Sequence, residues 1–194
     1  MSSKVRSHIK QLKPGYIMNS DDSIRKRNAM IHLVELGEKR AVPHIIKLLD
    51  QEEYYTVRYK AIWAIGELDD SRGINPLAKL LVHDGDSINA VNALSEMSSP
   101  LAVDALVDFI SAGVDYCHRL DAVKAIENRV NTSHASSLVS ALNAGLEEYE
   151  KATPSHERNE FYSGLRYISY EDLRMCNYKI NALLAELGVE VDID

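Results

Sequence analysis

Apolar positions along the chain recur at spacings of three and four, not two. Val57, Ala61, Ala64, Ile65 and Leu68 share one helical face, and Ile74, Leu77, Leu80 and Leu81 share another. Such spacing is the signature of amphipathic α-helices. Between these faces lies the turn-forming run Asp69-Asp70-Ser71-Arg72-Gly73. Asn75-Pro76 opens the second helix, where proline is tolerated because a first-turn N–H has no helical partner to lose. Upstream, Gly37 ends one helix and Pro43 starts the next; downstream, Ser98-Ser99-Pro100 occupies the same place. No stretch alternates with period two between hairpin turns, so strands are not expected.

The helix pairs form a repeat. Glu35-Leu36 recurs as Glu67-Leu68 at an offset of 32, which also brings Arg40 onto Arg72 and Lys47-Leu48-Leu49 onto Lys79-Leu80-Leu81. An offset of 29 carries Ala61, Ala64 and Glu67 onto Ala90, Ala93 and Glu96. A weaker fourth copy places Ala93 on Ala122 and, after an insertion, Ile110 on Leu142. One helical hairpin cannot bury its own apolar stripe, so neighbours must stack and the ends must be capped. The expected fold is an all-α solenoid of about four hairpins with helical caps, one domain over residues 1–194. Its parts are an N-terminal cap over 1–20 carrying Val5, Ile9 and Leu12, repeats over 22–150, and two capping helices over 155–188. The stripe Phe161, Leu165 and Ile168 marks the first of those two, and Gly188 ends the second.

The run Val57-Arg58-Tyr59-Lys60-Ala61-Ile62-Trp63-Ala64-Ile65-Gly66-Glu67-Leu68, followed by Asp70-Ser71-Arg72-Gly73-Ile74-Asn75-Pro76-Leu77, resembles the HEAT-like repeat named after phycobilisome lyases. The resemblance covers residues 22–142. Arg58-Tyr59 with Ala61, Trp63 and Gly66 is also similar to the opening helix of the E/F-type phycobilin lyases. In that family a helical solenoid binds a linear tetrapyrrole and a phycobiliprotein subunit, and some relatives act as chaperones. The resemblance therefore implies a bilin ligand at Arg58, Tyr59 and Trp63. It also implies a phycobiliprotein subunit or second lyase subunit as partner, and lyase activity by family alone. Isomerising members carry His-Cys; Cys117-His118 has the reverse order, so that role is not carried over.

Charge and composition narrow the alternatives. The chain of 194 residues is 45% hydrophobic and 26% charged, ordinary for a globular protein. Its net charge of −7 argues against a nucleic-acid binder, which needs a basic surface to release counterions. Residues 1–27 hold Lys4, Arg6, Lys10, Lys13, Arg25, Lys26 and Arg27 against only Asp21 and Asp22, a basic arm on an acidic body. No apolar run approaches the roughly 18 residues of a membrane span, and no signal peptide is evident, so a cytoplasmic location is expected. Cys117 and Cys176 form no CxxC pattern.

Few residues suggest chemistry. The only His-Glu dipeptide, His156-Glu157, is too little for a metal site, and none is expected. Cys117 beside His118 and Arg119 has the setting of a low-pKa thiol, although adjacent helical residues diverge by about 100°. Tyr54, Tyr55, Tyr59 and Trp63 form an aromatic cluster; with Arg58 and Lys60 it suits a planar anionic ligand or packing between repeats. The second helices present a column of Lys47, Lys79, Asp108 and Ser140, flanked by His44, Asn75, Asp104 and Ser136. A surface that grades from basic to acidic suits recognition of a folded protein. The expected function is a protein-binding scaffold using His44, Lys47, Asn75, Lys79, Asp104 and Asp108, specifically a bilin lyase subunit or chaperone, with no cofactor required beyond a possible bilin. The alternatives are a generic interaction solenoid and a HEAT-fold DNA glycosylase, the latter opposed by a pI near 5.5. No stand-alone catalytic set is present.

Overall fold

The computed structural model describes residues 2–13, 20–51, 54–82, 85–112, 116–151, 160–163 and 166–191. Side-chain surroundings within that set are not described at 20, 51, 116–117, 150–151, 160–163 and 166–170. Among the described residues there are ten α-helices: α1 Ser3–Gln11, α2 Ser20–Glu35, α3 Val42–Gln51, α4 Tyr55–Glu67, α5 Ile74–Leu80, α6 Ser87–Glu96, α7 Pro100–Ala112, α8 Tyr116–Ile126, α9 Ala135–Lys151 and α10 Tyr170–Glu186. The chain divides into two compact units, Met1–Ala102 and Val103–Asp194, and the division falls in the first turn of α7.

In the first unit α1 packs on α2, α2 on α4, and α4 on α6, while α3 packs on α4 and α5 on α6. The first helices of successive hairpins thus form one row with the second helices beside it, which is the stacking of an α-solenoid. The apolar stripes read from the sequence are its core: Leu33, Ile45, Leu48, Val57, Ala61, Ile65, Leu77 and Leu94 are fully buried. Each large aliphatic side chain among them contributes about 1.5–3 kcal/mol. Small residues set the helix spacing. A Cβ on Gly66 would lie 3.0 Å from Cα, Cβ and the carbonyl oxygen of Ala93, so α4 and α6 meet almost backbone to backbone.

The repeat extends to the turns. A 3-10 turn precedes α3 (Lys39–Ala41), α5 (Ser71–Gly73) and α9 (Thr132–His134). At each one the preceding side chain, Glu38, Asp70 or Asn131, accepts from the backbone N–H two residues on, which satisfies a donor that the short helix leaves free. Gly37 adopts φ +59°, and Asp69, its counterpart in the next hairpin, adopts φ +44°. A non-glycine residue here carries strain, which anchoring offsets. Ser98 donates to the Asp69 carboxylate from its backbone N–H (3.0 Å) and its hydroxyl (2.5 Å). Lys39 Nζ donates to the Asp69 carbonyl at 2.7 Å and Arg72 Nη2 to the Lys39 carbonyl at 2.9 Å, so the three turns form one ladder.

In the second unit α10 packs on both α8 and α9. Val123, Ile126, Leu138, Leu142, Leu173, Ile180 and Leu184 are buried there. Arg119, 1% exposed, donates to the Ala141 carbonyl, and Lys179 of α10 pairs with Glu127 after α8. His134 Nδ1 accepts from the Asn131 backbone N–H at 3.0 Å, so its proton is on Nε2, 2.9 Å from the Asp104 carboxylate. Burial pushes the Cys176 thiol up, and Arg119 opposes that rise.

The C-terminal segment corrects the expectation of two capping helices over 155–188 and of a strandless chain. Among the described residues of this segment one helix, α10, is present, and before it two antiparallel strands pair, β1 Glu160–Ser163 and β2 Arg166–Ser169. Their register pairs Phe161 with Ile168 and Tyr162 with Tyr167. Aromatic and β-branched residues favour a strand. Leu165 itself, one member of the expected stripe, lies outside the described residues.

Candidate docking groove between α4 and α6

The first turns of α4 carry an uncovered aromatic run. Tyr54, Tyr55 and Tyr59 are 52%, 59% and 43% exposed, and the Tyr55 and Tyr59 rings stack with centroids 6.3 Å apart. Tyrosines at one-turn spacing on the side away from Val57 and Ala61 have nowhere to bury. One turn further on, Trp63 is half-buried, and the Lys60 ammonium sits 3.9 Å above its ring centroid, a cation–π contact.

Tyr59 and Trp63 line a groove of about 100 Å³ against α6. Ile62, Gly66 and Ala93 complete its apolar part; Asn89, Asn92, Glu67 and Glu96 supply its polar groups. The Gly66–Ala93 approach keeps the floor shallow and open. Glu67 ends α4 and Glu96 ends α6, so two helix C-termini and two exposed carboxylates converge here. The negative ends of both helix dipoles add to that charge. The Nδ2 of Asn89 is buried without a hydrogen-bond partner among the described residues.

Arg58, expected beside Tyr59 and Trp63 as a ligand cation, is placed elsewhere. Its Nε and Nη2 both donate to Asp86 Oδ2, the first at 3.1 Å, and its Nη1 donates to the Leu49 carbonyl at 2.8 Å. The two side chains are 23% and 9% exposed. Arg58 thus ties the C-terminal end of α3 to the entry of α6, across the hairpin that contains it.

His44 and Lys47 on α3 and Asn75 and Lys79 on α5 face solvent in the first unit; Asp104 and Asp108 on α7 do so in the second. Asp104 is engaged by His134. Sequence reasoning passed over the polar half of the groove, Glu67, Asn89, Asn92 and Glu96. The signal was the repeat register, which aligns Glu67 with Glu96.

Elsewhere, carboxylates pair locally: Arg40 holds Glu38, Arg72 holds Asp70 and Arg174 holds Glu171 below the ordinary carboxylate range. Among the described residues no three His, Cys, Asp or Glu side chains are placed to hold a metal, and no helix is long and apolar enough to cross a membrane. The Cys117 side chain and the His156-Glu157 pair lie outside the described residues.

Residues 11–89 match the family model for HEAT repeats. The match spans α2 through α5 and the first residues of α6, and the groove residues Asn92, Ala93 and Glu96 lie beyond it. No curated protein matches the chain.

Proposed function

We propose that the protein is a HEAT-repeat scaffold that binds another protein through the α4–α6 face. Solenoids of stacked hairpins use extended repeat surfaces for binding. The observation that carries the placement is the exposed tyrosine run leading into the groove beside Trp63. Tyrosine and tryptophan dominate the energetics of protein interfaces, because they add large contact area at low entropic cost. The exposed His44, Lys47, Asn75 and Lys79 of the first unit serve as a secondary surface where charge sets orientation and on-rate, and Asp104 and Asp108 offer acidic contacts on the second unit by itself.

The test is affinity capture from the source cell extract with three baits: wild type, Tyr55→Ala with Tyr59→Ala, and Lys47→Glu with Lys79→Glu. A protein retained by wild type and lost by the tyrosine variant at unchanged melting temperature supports the placement. Loss with the lysine variant alone moves the interface to the second helices.

A narrower reading, a bilin lyase subunit or chaperone acting on a phycobiliprotein, is favoured by one observation: Tyr59 and Trp63 line the same groove. With about 100 Å³ available, against roughly 300–1,000 Å³ for an enclosing pocket, a bilin would lie along the surface. Its propionates would look to Lys60, since Arg58 is held by Asp86. Saturable quenching of Trp63, the one tryptophan in the chain, by phycocyanobilin or phycoerythrobilin is the result this reading requires.

A further inference from the structure

The groove has a chemistry that selects among protein partners. Glu67 and Glu96 place two carboxylates at its rim, where two helix C-termini end, and no basic residue lines it. Neither carboxylate has an ion-pair partner among the described residues. A site of this kind is a cation site with an apolar approach: Ile62 and Ala93 receive a hydrocarbon stem, and the carboxylates receive its charged end. The indole face of Trp63 already holds a cation, Lys60 at 3.9 Å, so the ring is oriented to accept one. Asn89 and Asn92 add uncharged polar groups to its wall.

We infer that the groove takes an arginine side chain presented by the partner polypeptide, with its guanidinium between Glu67 and Glu96 and its stem along Ile62, Trp63 and Ala93. An ordinary metal ion would use the carboxylates but not the apolar wall. A lysine would use the stem and one carboxylate. The planar five-donor guanidinium uses both carboxylates and the aromatic face together. A groove of about 100 Å³ has the scale of a single side chain. The inference rests on the reading of the α4–α6 face as a protein interface, and names what that interface selects.

The experiment titrates the full chain with acetyl-Ala-Ala-Arg-Ala-Ala-amide and reads Trp63 fluorescence. The matched peptides carry lysine or the uncharged isostere citrulline in place of arginine. Arginine should saturate the signal, lysine should bind more weakly, and citrulline should bind at least about tenfold more weakly. Glu67→Gln with Glu96→Gln should weaken the arginine peptide by about tenfold or more. Both positions are exposed, so the variant keeps its fold, which circular dichroism checks. Lys60→Met should tighten binding by removing the resident cation. Equal binding of arginine and citrulline, unchanged affinity in the double glutamine variant, or no saturable signal would each overturn the inference. The scaffold reading fails separately, when a captured partner is retained by the Tyr55→Ala, Tyr59→Ala protein. A partner lost by that variant but kept by the glutamine variant sinks the arginine assignment alone.

Discussion

Arg58 carries the sharpest prediction, because two roles for it give opposite outcomes. If it is a ligand cation, its loss spares stability. If it is a tie between hairpins, its loss unfolds them. Arg58→Ala removes two donors from Asp86 and one from the Leu49 carbonyl. It leaves a carboxylate whose side chain is 9% exposed without its cation. Removing one partner of a buried pair costs about 3–5 kcal/mol, and the 23% exposure of Arg58 moves this toward about 2–4 kcal/mol. Asp86→Ala strands only a guanidinium that keeps the Leu49 carbonyl and some water, so about 1–2 kcal/mol is expected. The double variant should lose less than the two singles together, by at least about 1 kcal/mol. Urea unfolding followed by Trp63 fluorescence reads the first unit directly. A loss below about 0.5 kcal/mol for Arg58→Ala, or strictly additive losses, would refute the tie.

Three further outcomes are expected. Asp70 is held below the ordinary carboxylate range by Arg72, so its contribution is full above the unfolded value near pH 4 and is lost as pH falls through the folded value; the melting advantage of wild type over Asp70→Asn should shrink between about pH 6 and about pH 3. A Cβ on Gly145 would lie 2.1 Å from the Asn177 side-chain oxygen in the α9–α10 contact, so Gly145→Ala should lose about 1 kcal/mol net of its helix-propensity gain, with partial recovery when Asn177→Ala is added; a stabilised Gly145→Ala protein would contradict this. Burial raises the Cys176 thiol pKa, so its contribution is full below the unfolded thiol value and fades as pH rises through the folded one; in a Cys117→Ser background a thiol reagent should label Cys176 only at the rate of unfolding.

The helices and their turns were legible because each hairpin repeats the same local chemistry. Gly37 and Gly188 were readable as helix ends and both adopt positive φ, and the aligned Asp69 does so as well. The strands were not legible for a physical reason. Phe161, Leu165 and Ile168 satisfy a helical spacing of four and three, yet the same short run also pairs as two antiparallel strands with Phe161 opposite Ile168. A short apolar run does not by itself separate the two periods. The role of Arg58 was hidden because its partner is 28 residues away. Neighbouring aromatic residues in sequence suggested a ligand; the distant carboxylate decided the contact. Glu67 and Glu96 were visible as a repeated position, but only the packing of α4 on α6 turns that repetition into one electronegative groove.

The most direct measurement is site-specific photo-cross-linking in the source cell, with p-benzoylphenylalanine replacing Tyr55 in one strain and Lys79 in another. Both side chains are exposed, one on the first-helix row and one on the second. A scaffold that docks its partner on α4 and α6 predicts a discrete adduct from Tyr55, and the arginine assignment further predicts its loss when Glu67→Gln and Glu96→Gln are added. An adduct from Lys79 with none from Tyr55 would contradict it.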